Sequence, residues 1–449
     1  MKLKAFNARD VYGYLNFDIS FHSDLSFLVG VNGSGKTTVL RLIQALLTPS
    51  LKDLLLIPFS EAAVEFEEKN SAVEIRCKKD EKKVVLAVSG ISESLRFPQI
   101  DEDELEFLIA REGMRGDFLE DYQIKNANHD VFQYISKINA PVFLGLERTY
   151  RASGDSEESI HFERERIIAS RARPGMRGKR IVQGSLAAGL TETQVLVREA
   201  YRRLRRVEDR HSEKLRESML LSAFRYYEFS VPSGGNESAL PDWMEQKQML
   251  ERKTELETAL KNIGLSGDRV TKELEEFFGR LDELYSSMSS VEDPKSFPIE
   301  WLINKAQIDR VSDLIMIIDD HRSSVSKLYA SINTFLASVN TFYKDTNKAL
   351  QIDTVGQLSV LRPDNQAAPV EALSSGERQL LIIFAHLLFN EFGNRSNVFI
   401  IDEPELSLHL RWQEQFVSKA VEVSPETQLI LATHSPEILG GYDEKSIAV

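Results

Sequence analysis

The chain has 449 residues and a net charge of −14, with 42% hydrophobic and 28% charged residues. This composition is that of a globular protein with room for two or three domains. The single cysteine, Cys77, excludes an internal disulfide framework and a cysteine zinc site within one chain. Residues 1–10 contain no hydrophobic signal core, and the longest apolar stretch, 380–389, is too short for a membrane span. We therefore expect a cytoplasmic protein that does not enter a membrane.

A phosphate-binding motif lies near the start of the sequence. Residues 30–37 (GVNGSGKT) fit the P-loop pattern G-x-x-x-x-G-K-[ST], between an apolar run and a stretch with helical spacing. Its glycines allow backbone N–H groups to surround phosphates at the positive end of the following helix. We predict that Lys36 neutralises the β- and γ-phosphates of ATP and that Thr37 is a Mg²⁺ ligand. The other predicted nucleotide contacts in this loop are Asn32, Gly33, Ser34, Gly35 and Thr38.

An acidic pair follows the uninterrupted apolar run at 398–401. That run is rich in β-branched residues and predicts a central parallel strand covered on both faces. We predict that Asp402 holds Mg²⁺ and that Glu403, one residue further toward the γ-phosphate, positions or deprotonates the attacking water. The alternative is that these acids cap a helix opened by Pro404. We favour the metal and catalytic roles because the chain also contains a P-loop.

A second buried-strand pattern, at 429–433, ends next to His434. We predict that this histidine donates a hydrogen bond to the γ-phosphate and so senses its presence. The alternative is a structural histidine at a strand end. The P-loop elsewhere in the chain favours the first interpretation.

The long region between these motifs has the pattern of helices. Apolar residues recur at steps of three and four in series that begin at Val197, Trp243, Val270 and Leu328. Such series are typical of helical hairpins, short coiled coils or an ordinary helical subdomain. The sequence leaves these alternatives open.

These observations predict an α/β fold, with a P-loop ATPase head split by an inserted helical or short coiled-coil domain. Residues 1–150 are predicted to form the N-terminal lobe, 151–190 a basic linker, 191–350 the insertion and 351–449 the C-terminal lobe.

Charge is uneven along the chain. Residues 164–210 hold 13 Lys or Arg against five acids, a local +8, so the remainder carries −22. Residues 171–180 have the composition of a basic loop, and 202–206 place four arginines on a predicted helix. This window either contacts the phosphate backbone of DNA or RNA, or is a solvated basic face that pairs with acids of this chain or a partner. The sequence leaves both possibilities open.

The order of the motifs resembles the branch of ABC-type ATPases that contains the structural-maintenance, RecF and overcoming-lysogenization-defect proteins. The motifs are the P-loop, LSSGE at 373–377, DEPELSLH at 402–409, and His434. The resemblance covers about residues 1–60 and 365–445. It implies an ATPase that uses Mg²⁺ and whose heads form dimers around two ATP molecules. The signature residues Ser374, Ser375, Gly376 and Glu377 of one head would then complete the P-loop site of the other, with His409 near the dimer seam.

The sequence also departs from the pattern of this branch. The glutamine loop is not visible, and the strand pattern at 142–146 runs instead into Glu147, our substitute metal or water contact. No zinc-hook C-x-x-C is present, and no Toprim nuclease domain is recognisable. We therefore expect the effector to be encoded separately.

This arrangement is similar to the ATPase subunits of two-gene antiphage systems such as Septu and PARIS. Those systems pair an ATPase with an HNH or Toprim nuclease and assemble from several ATPase dimers. The resemblance predicts a regulatory ATPase that forms head dimers, and higher oligomers from them, and controls a nuclease in response to a phage trigger. The alternative is a RecF-type DNA-repair ATPase that binds DNA in an ATP-dependent way. A transporter nucleotide-binding subunit is disfavoured because the insertion separates the motifs.

Overall fold

The computed structural model describes most of the chain. The described residues are 1–48, 52–69, 71–80, 82–99, 128–145, 181–182, 186–222, 268–289, 299–390 and 396–449. They form two compact units, a head unit of Met1–Tyr201 with Ile332–Val449 and a helical unit of Arg202–Ser331. The helical unit lies within the predicted insertion, 191–350. The lobe and linker boundaries stay predictions.

One sheet of the head unit is parallel and is built from both ends of the chain. Its strand order is β15-β3-β14-β13-β8-β9. The strands are β3 (Leu25–Val29), β8 (Val142–Gly145), β9 (Ile181–Val182), β13 (Val398–Asp402), β14 (Gln428–Thr433) and β15 (Ser446–Ala448). The apolar runs at 398–401 and 429–433 therefore form adjacent central strands, as predicted. This parallel sheet and its helices confirm the predicted α/β fold class.

The other two sheets of the head unit are antiparallel. The larger has the order β2-β1-β4-β5-β6-β7, and the smaller has the order β10-β11-β12. Their strands are β1 (Lys2–Val11), β2 (Leu15–Ser20), β4 (Glu61–Glu68), β5 (Ser71–Lys79), β6 (Lys83–Val88), β7 (Leu95–Pro98), β10 (Ala349–Ile352), β11 (Leu358–Leu361) and β12 (Ala367–Pro369).

The helices of the described residues vary from one turn to more than ten turns. They are α1 (Lys36–Leu47), α2 (Lys52–Leu56), α3 (Asp130–Lys137), α4 (Leu186–Ser222), α5 (Asp268–Ser289), α6 (Ile299–Tyr343), α7 (Ser375–Phe389), α8 (Leu410–Val423) and α9 (Pro436–Leu439). Short 3₁₀ turns occupy Lys344–Thr346, Val370–Ala372 and Asp443–Lys445. In the described part of the chain, no helix combines the length and hydrophobicity needed to cross a bilayer.

The core of the head unit joins α1 to two sheets. Val39, Leu42 and Leu46 of α1 are fully buried in one apolar cluster. This cluster also contains side chains of the large antiparallel sheet, such as Phe66, and of the parallel sheet, such as Ile400. The helical spacing of 39–47 is therefore the buried face of a helix that follows the P-loop, as predicted.

The helical unit has a small apolar core of its own. Leu215 of α4, Phe278 of α5 and Ile318 of α6 are buried together. Of the neighbouring rings Phe277 and Phe278 in α5, Phe278 is the more buried. The helical character of this region is confirmed, and its description as a coiled coil stays a prediction. The series that begins at Trp243 lies outside the described residues.

Candidate nucleotide site

Strand register brings the predicted site residues to one edge of the parallel sheet. Asp402 is level with Ala432 of β14 and Gly145 of β8, and Thr433 is level with Val29 of β3. The carboxyl ends of parallel strands are the usual place for ligand sites in α/β sheets. The P-loop, Asp402 and His434 therefore share this edge, although Thr37 of the P-loop and Asp402 are 365 positions apart in sequence.

The P-loop has the backbone that its glycines permit. Gly35 caps α1 with a φ of 101°, in the left-handed region that favours glycine. A Cβ atom at Gly35 would also lie 2.6 Å from Cζ of Phe17. At the outer side of the loop Asn32 and Gly33 are exposed to solvent. The loop therefore packs against Phe17 at Gly35 and is exposed at Asn32 and Gly33, where a phosphate would bind.

Lys36 is folded back into this loop. Its side chain is buried, and Nζ donates to the carbonyl oxygens of Gly30 at 2.9 Å and Val31 at 3.1 Å. Burial lowers the pKa of Lys36, and the nearby carboxylates Glu403 and Asp402 partly offset this effect. Phosphate oxygens are stronger acceptors for an ammonium group than neutral carbonyls. The ammonium is therefore held next to the place where the β- and γ-phosphates are expected.

Thr37 and Asp402 form a polar pair across the site. The Thr37 hydroxyl donates to Asp402 Oδ2 at 2.9 Å. Asp402 Oδ1 is buried and has no hydrogen-bond partner among the described residues. Burial raises the pKa of Asp402, because a desolvated carboxylate is costly to ionise. A hydroxyl and a carboxylate with an unused oxygen fit the oxygen ligands that Mg²⁺ takes from P-loop ATPases.

Glu403 has an unusual backbone conformation. Its φ is 50°, in the left-handed region, where a residue other than glycine costs about 1–3 kcal/mol. The conformation is maintained because its N–H donates to the carbonyl of Ala432 at 2.8 Å. The alternative of a helix opened by Pro404 is wrong. The next helix, α8, begins at Leu410, and His409 caps it by accepting from the N–H of Arg411.

His434 joins the lysine and the glutamate. Its Nδ1 lies 3.4 Å from Lys36 Nζ, and its Nε2 lies 3.9 Å from Glu403 Oε1. The backbone N–H of His434 donates to Glu405 Oε1 at 2.7 Å. Glu405 also has a buried Oε2 without a partner among the described residues. Glu405 was not among the predicted site residues, because the only sequence signal for it was its place in the motif D-E-P-E at 402–405.

The signature residues form the start of α7. Ser374 is the N-cap and forms a capping box with Glu377, whose N–H donates to the Ser374 hydroxyl. Ser374 and Ser375 are exposed, and among the described residues no hydrogen bond links them to the P-loop of their own head. Glu377 is fully buried, and Lys348 Nζ donates to both of its carboxylate oxygens at 2.9 Å. Its carboxylate is thus engaged inside the head, whereas the serines face solvent.

A close backbone approach connects the signature to the acidic loop. A Cβ atom at Gly376 would lie 2.4 Å from the carbonyl oxygen of Ser407. Gln379 of α7 also donates to the carbonyl of Pro404 at 2.8 Å. The start of α7 is therefore packed directly against the loop that follows Glu403.

Of the remaining predicted site residues, Ser34 and Thr38 lie in the described structure and Glu147 does not. Ser34 Oγ lies 3.4 Å from Lys36 Nζ, and Thr38 is partly buried in the first turn of α1. Glu147 and the predicted basic loop at 171–180 lie outside the described residues. Among the described residues, no cluster of three or more His, Cys, Asp or Glu side chains is arranged to hold a metal.

A family model described as an AAA ATPase domain matches residues 1–166 and 230–439. The chain belongs to the AAA ATPase domain family. The match covers both halves of the nucleotide site and leaves out 167–229, which contains most of the basic window. Family membership confirms the prediction of an ATPase.

Two curated relatives of this AAA ATPase are similar over short segments. The Retron Vc95 probable ATPase of Vibrio cholerae serotype O1 biovar El Tor is 31% identical over 93 residues, 21% of this chain and 18% of that protein. The Retron Ec83 probable ATPase of Escherichia coli is 22% identical over 150 residues, 29% of this chain and 28% of that protein. The alignments thus span less than a third of either relative.

Solved structures that align with this AAA ATPase include Smc head domains. The Smc head domain with an extended coiled coil from Pyrococcus furiosus aligns over 100% of this chain and 93% of its own, with 13% identity and a TM-score of 0.39. The Smc head bound to the C-winged helix domain of ScpA aligns over 100% and 94%, with 12% identity and a TM-score of 0.41. Superpositions this loose establish no shared detail.

Proposed function

We propose that this AAA ATPase is the ATP-binding and ATP-hydrolysing regulatory subunit of an antiphage system, with an ABC-type head that dimerises and controls a separately encoded nuclease. The observation that carries the enzymatic part is the cluster of Lys36, Thr37, Asp402, Glu403 and His434 at one sheet edge. These groups supply a phosphate-binding cation, two Mg²⁺ ligands, a carboxylate for the attacking water and a histidine for the γ-phosphate.

Each residue has a distinct role in this proposal. The P-loop amides and Lys36 bind and orient the β- and γ-phosphates, and Thr37 and Asp402 hold Mg²⁺. The metal, when bound, neutralises charge that develops on the transferred phosphoryl group. Glu403 orients or deprotonates the attacking water. His434 stands between Lys36 and Glu403, where it contacts the γ-phosphate.

The exposed serines favour a site that is shared between two heads. Ser374 and Ser375 face solvent at the positive end of the 15-residue helix α7, and within the described part of the chain no hydrogen bond joins them to their own P-loop. The outer side of the P-loop is exposed as well. Two copies arranged head to head would let each signature contact the γ-phosphate in the other P-loop, so ATP would favour the dimer by binding only the closed form.

Two kinds of similarity support a role in antiphage defence. The arrangement of an ATPase head without a recognisable effector domain resembles ATPases of two-gene antiphage systems, and two relatives are named as probable ATPases of retrons. We infer a nuclease partner of Toprim or HNH type and a phage-derived trigger that releases or activates it.

Two experiments test this proposal. Mass measurement with and without ATP should show a dimer, or a multiple of dimers, that Glu403→Gln stabilises and Lys36→Ala abolishes. A phage-plating assay should then compare the two-gene operon, each gene alone and the operon with each variant. Protection by this gene alone, or by the operon that carries Lys36→Ala, would rule out the regulatory-ATPase model.

A second candidate function is ATP-dependent DNA binding of the RecF type. The observation that favours it is a row of exposed arginines on α4, Arg202, Arg206 and Arg210, spaced four residues apart. Within the described part of the chain Arg202 and Arg206 have no ion pair, unlike Arg205, which pairs with Glu208 at 2.8 Å. Unpaired cations on one helix face suit a phosphate backbone.

A further inference from the structure

Residues 343–348, which begin at the last residue of α6, form hydrogen bonds with Glu377 in the first turn of α7. Lys348 Nζ donates to Oε1 and Oε2 of Glu377, each at 2.9 Å. The Thr346 hydroxyl donates to Glu377 Oε1 at 3.0 Å, and the Tyr343 hydroxyl donates to the Glu377 carbonyl at 2.8 Å. The backbone N–H of Ser374 also donates to Glu377 Oε2, at 2.7 Å. Glu377 therefore connects residues 343–348 to the first residue of the signature.

The Lys348–Glu377 pair is buried on the glutamate side. The Glu377 side chain is 1% exposed and that of Lys348 is 24% exposed. Burial by itself would raise the pKa of Glu377, but the hydrogen bonds from Lys348 and Ser374 lower it. A buried carboxylate that loses its counter-charge is strongly destabilised and must move or become protonated. Because the same carboxylate accepts from the Ser374 N–H, such a change would displace the start of α7.

The same segment has a hydrogen bond of its own backbone and also contacts α8. Asn347 caps the 3₁₀ turn Lys344–Thr346 with a φ of 52°, and the Lys348 N–H donates to the Tyr343 carbonyl at 3.0 Å. Asp345 accepts from Trp412 Nε1 of α8 at 3.0 Å. The Phe342 ring packs between Phe384 of α7 and Trp412 of α8, with ring centroids 5.7 Å and 6.1 Å apart. Phe342 and residues 343–348 therefore contact both α7 and α8.

We propose that Lys348 is a positioning residue for ATP hydrolysis, which acts through Glu377 to set Ser374 and Ser375 where the other head's γ-phosphate requires them. This inference rests on the proposed function, because only a shared ATP site gives the signature a reacting group to contact. Lys348 touches no nucleotide in this scheme. Its loss affects turnover and leaves the P-loop intact.

The test separates turnover from binding. Lys348→Met should reduce kcat about 10- to 100-fold, since displaced positioning groups have effects of this size. The ATP affinity of the single head, measured by titration, should remain within about twofold because Lys36 and the P-loop are untouched. Lys348→Arg keeps the charge and should recover most of the rate. Unchanged ATP binding also reports that the variants are folded.

A matched control and a double variant make the test specific. Lys445 forms an ion pair at the same 2.9 Å and has the same 24% side-chain exposure, but its partner Asp24 is 60% exposed and outside the signature, so Lys445→Met should leave kcat unchanged. If Lys348 acts through Glu377, the double variant Lys348→Met/Glu377→Gln should be no slower than the slower single variant. Wild-type kcat in Lys348→Met, or effects of the two substitutions that multiply, would overturn the inference and leave the ATPase proposal standing. A wild-type chain that does not hydrolyse ATP would instead overturn the proposed function.

Discussion

The Thr37 hydroxyl donates a 2.9 Å hydrogen bond to Asp402 Oδ2, which joins the first turn of α1 to the end of β13. Both side chains belong to positions where P-loop ATPases hold Mg²⁺. Because each already lies within hydrogen-bond distance of the other, the two protein ligands need little rearrangement to share one ion. The unpartnered Asp402 Oδ1 adds a further acceptor at the same place.

Replacing Lys36 should remove nucleotide binding. Lys36→Ala deletes the only lysine whose ammonium lies within the P-loop of the described structure, so the phosphate charge would be buried without its counter-ion. We expect no measurable ATP binding in a calorimetric titration. Lys445→Ala, which removes a lysine from the same head away from the P-loop, should bind normally. Wild-type affinity in Lys36→Ala would contradict the assignment.

Replacing Glu403 should separate binding from chemistry. Glu403→Gln keeps the size of the side chain and its hydrogen-bonding ability but removes the base, which typically costs about 10²- to 10⁴-fold in rate. ATP binding should persist, as measured by titration alongside phosphate release. Glu422→Gln, on the exposed face of α8, is the matched control. Normal turnover in Glu403→Gln would direct attention to Glu405 or Glu147.

The row of arginines on α4 predicts how DNA affinity depends on salt concentration. If Arg202, Arg206 and Arg210 each neutralise a DNA phosphate, replacing them with Gln should reduce the slope of log affinity against log salt by about 2 to 3. The measurement is DNA binding by fluorescence anisotropy at several salt concentrations. Substituting Lys4, Lys419 and Lys445, which form ion pairs within the head, changes net charge equally and should not alter the slope. Absence of salt-sensitive binding in the wild type would eliminate the DNA-binding candidate.

Lys79 predicts a pH dependence of stability. Its Nζ donates to the carbonyl of Ile57 at 2.6 Å and lies 4.3 Å from the centroid of the Phe59 ring. Burial lowers the pKa of Lys79 to about 8, so between pH 8 and 10.5 the unfolded chain binds more protons than the folded one. Stability from this group therefore rises with pH across that window, by on the order of 1–3 kcal/mol.

Urea unfolding at several pH values tests this sign. As pH rises from 8 to 10.5, the free energy of unfolding of the wild type should increase relative to that of Lys79→Met. Lys78→Met provides the control, because the neighbouring side chain is 60% exposed. A constant difference between wild type and Lys79→Met would contradict the prediction.

Local patterns predicted the elements that carry the site. The runs at 398–401 and 429–433 are central strands because uninterrupted apolar, β-branched-rich sequence suits a strand covered on both faces. Glycine spacing identified the P-loop, because few other residues accept the backbone that Gly35 adopts. The order of the motifs was the only sequence signal that the P-loop, near the start of the chain, and His434, near its end, belong to one site.

Other features depend on contacts that sequence patterns do not encode. Glu377 was predicted to contact nucleotide, but its carboxylate is held by Lys348, a residue in no motif. The left-handed backbone of Glu403 follows from the pairing of its N–H with Ala432, which only the sheet register reveals. The rejected alternative of a helix opened by Pro404 followed a general preference of helix starts, but a turn occupies the residues before His409. Whether Glu147 contacts metal or water stays a prediction.

The order of strands in the parallel sheet has a consequence for biosynthesis. β3, which precedes the P-loop, lies between β14 and β15, and both of these strands come from the last stretch of the sequence. At elongation rates of about 5–20 residues per second, β3 waits roughly 20–80 s on the ribosome before β14 exists. A nascent chain interrupted before residue 428 therefore has no paired strand beneath its P-loop. We expect translation products that end early to be unable to bind ATP, so the ATP site would form only when synthesis of the head is finished.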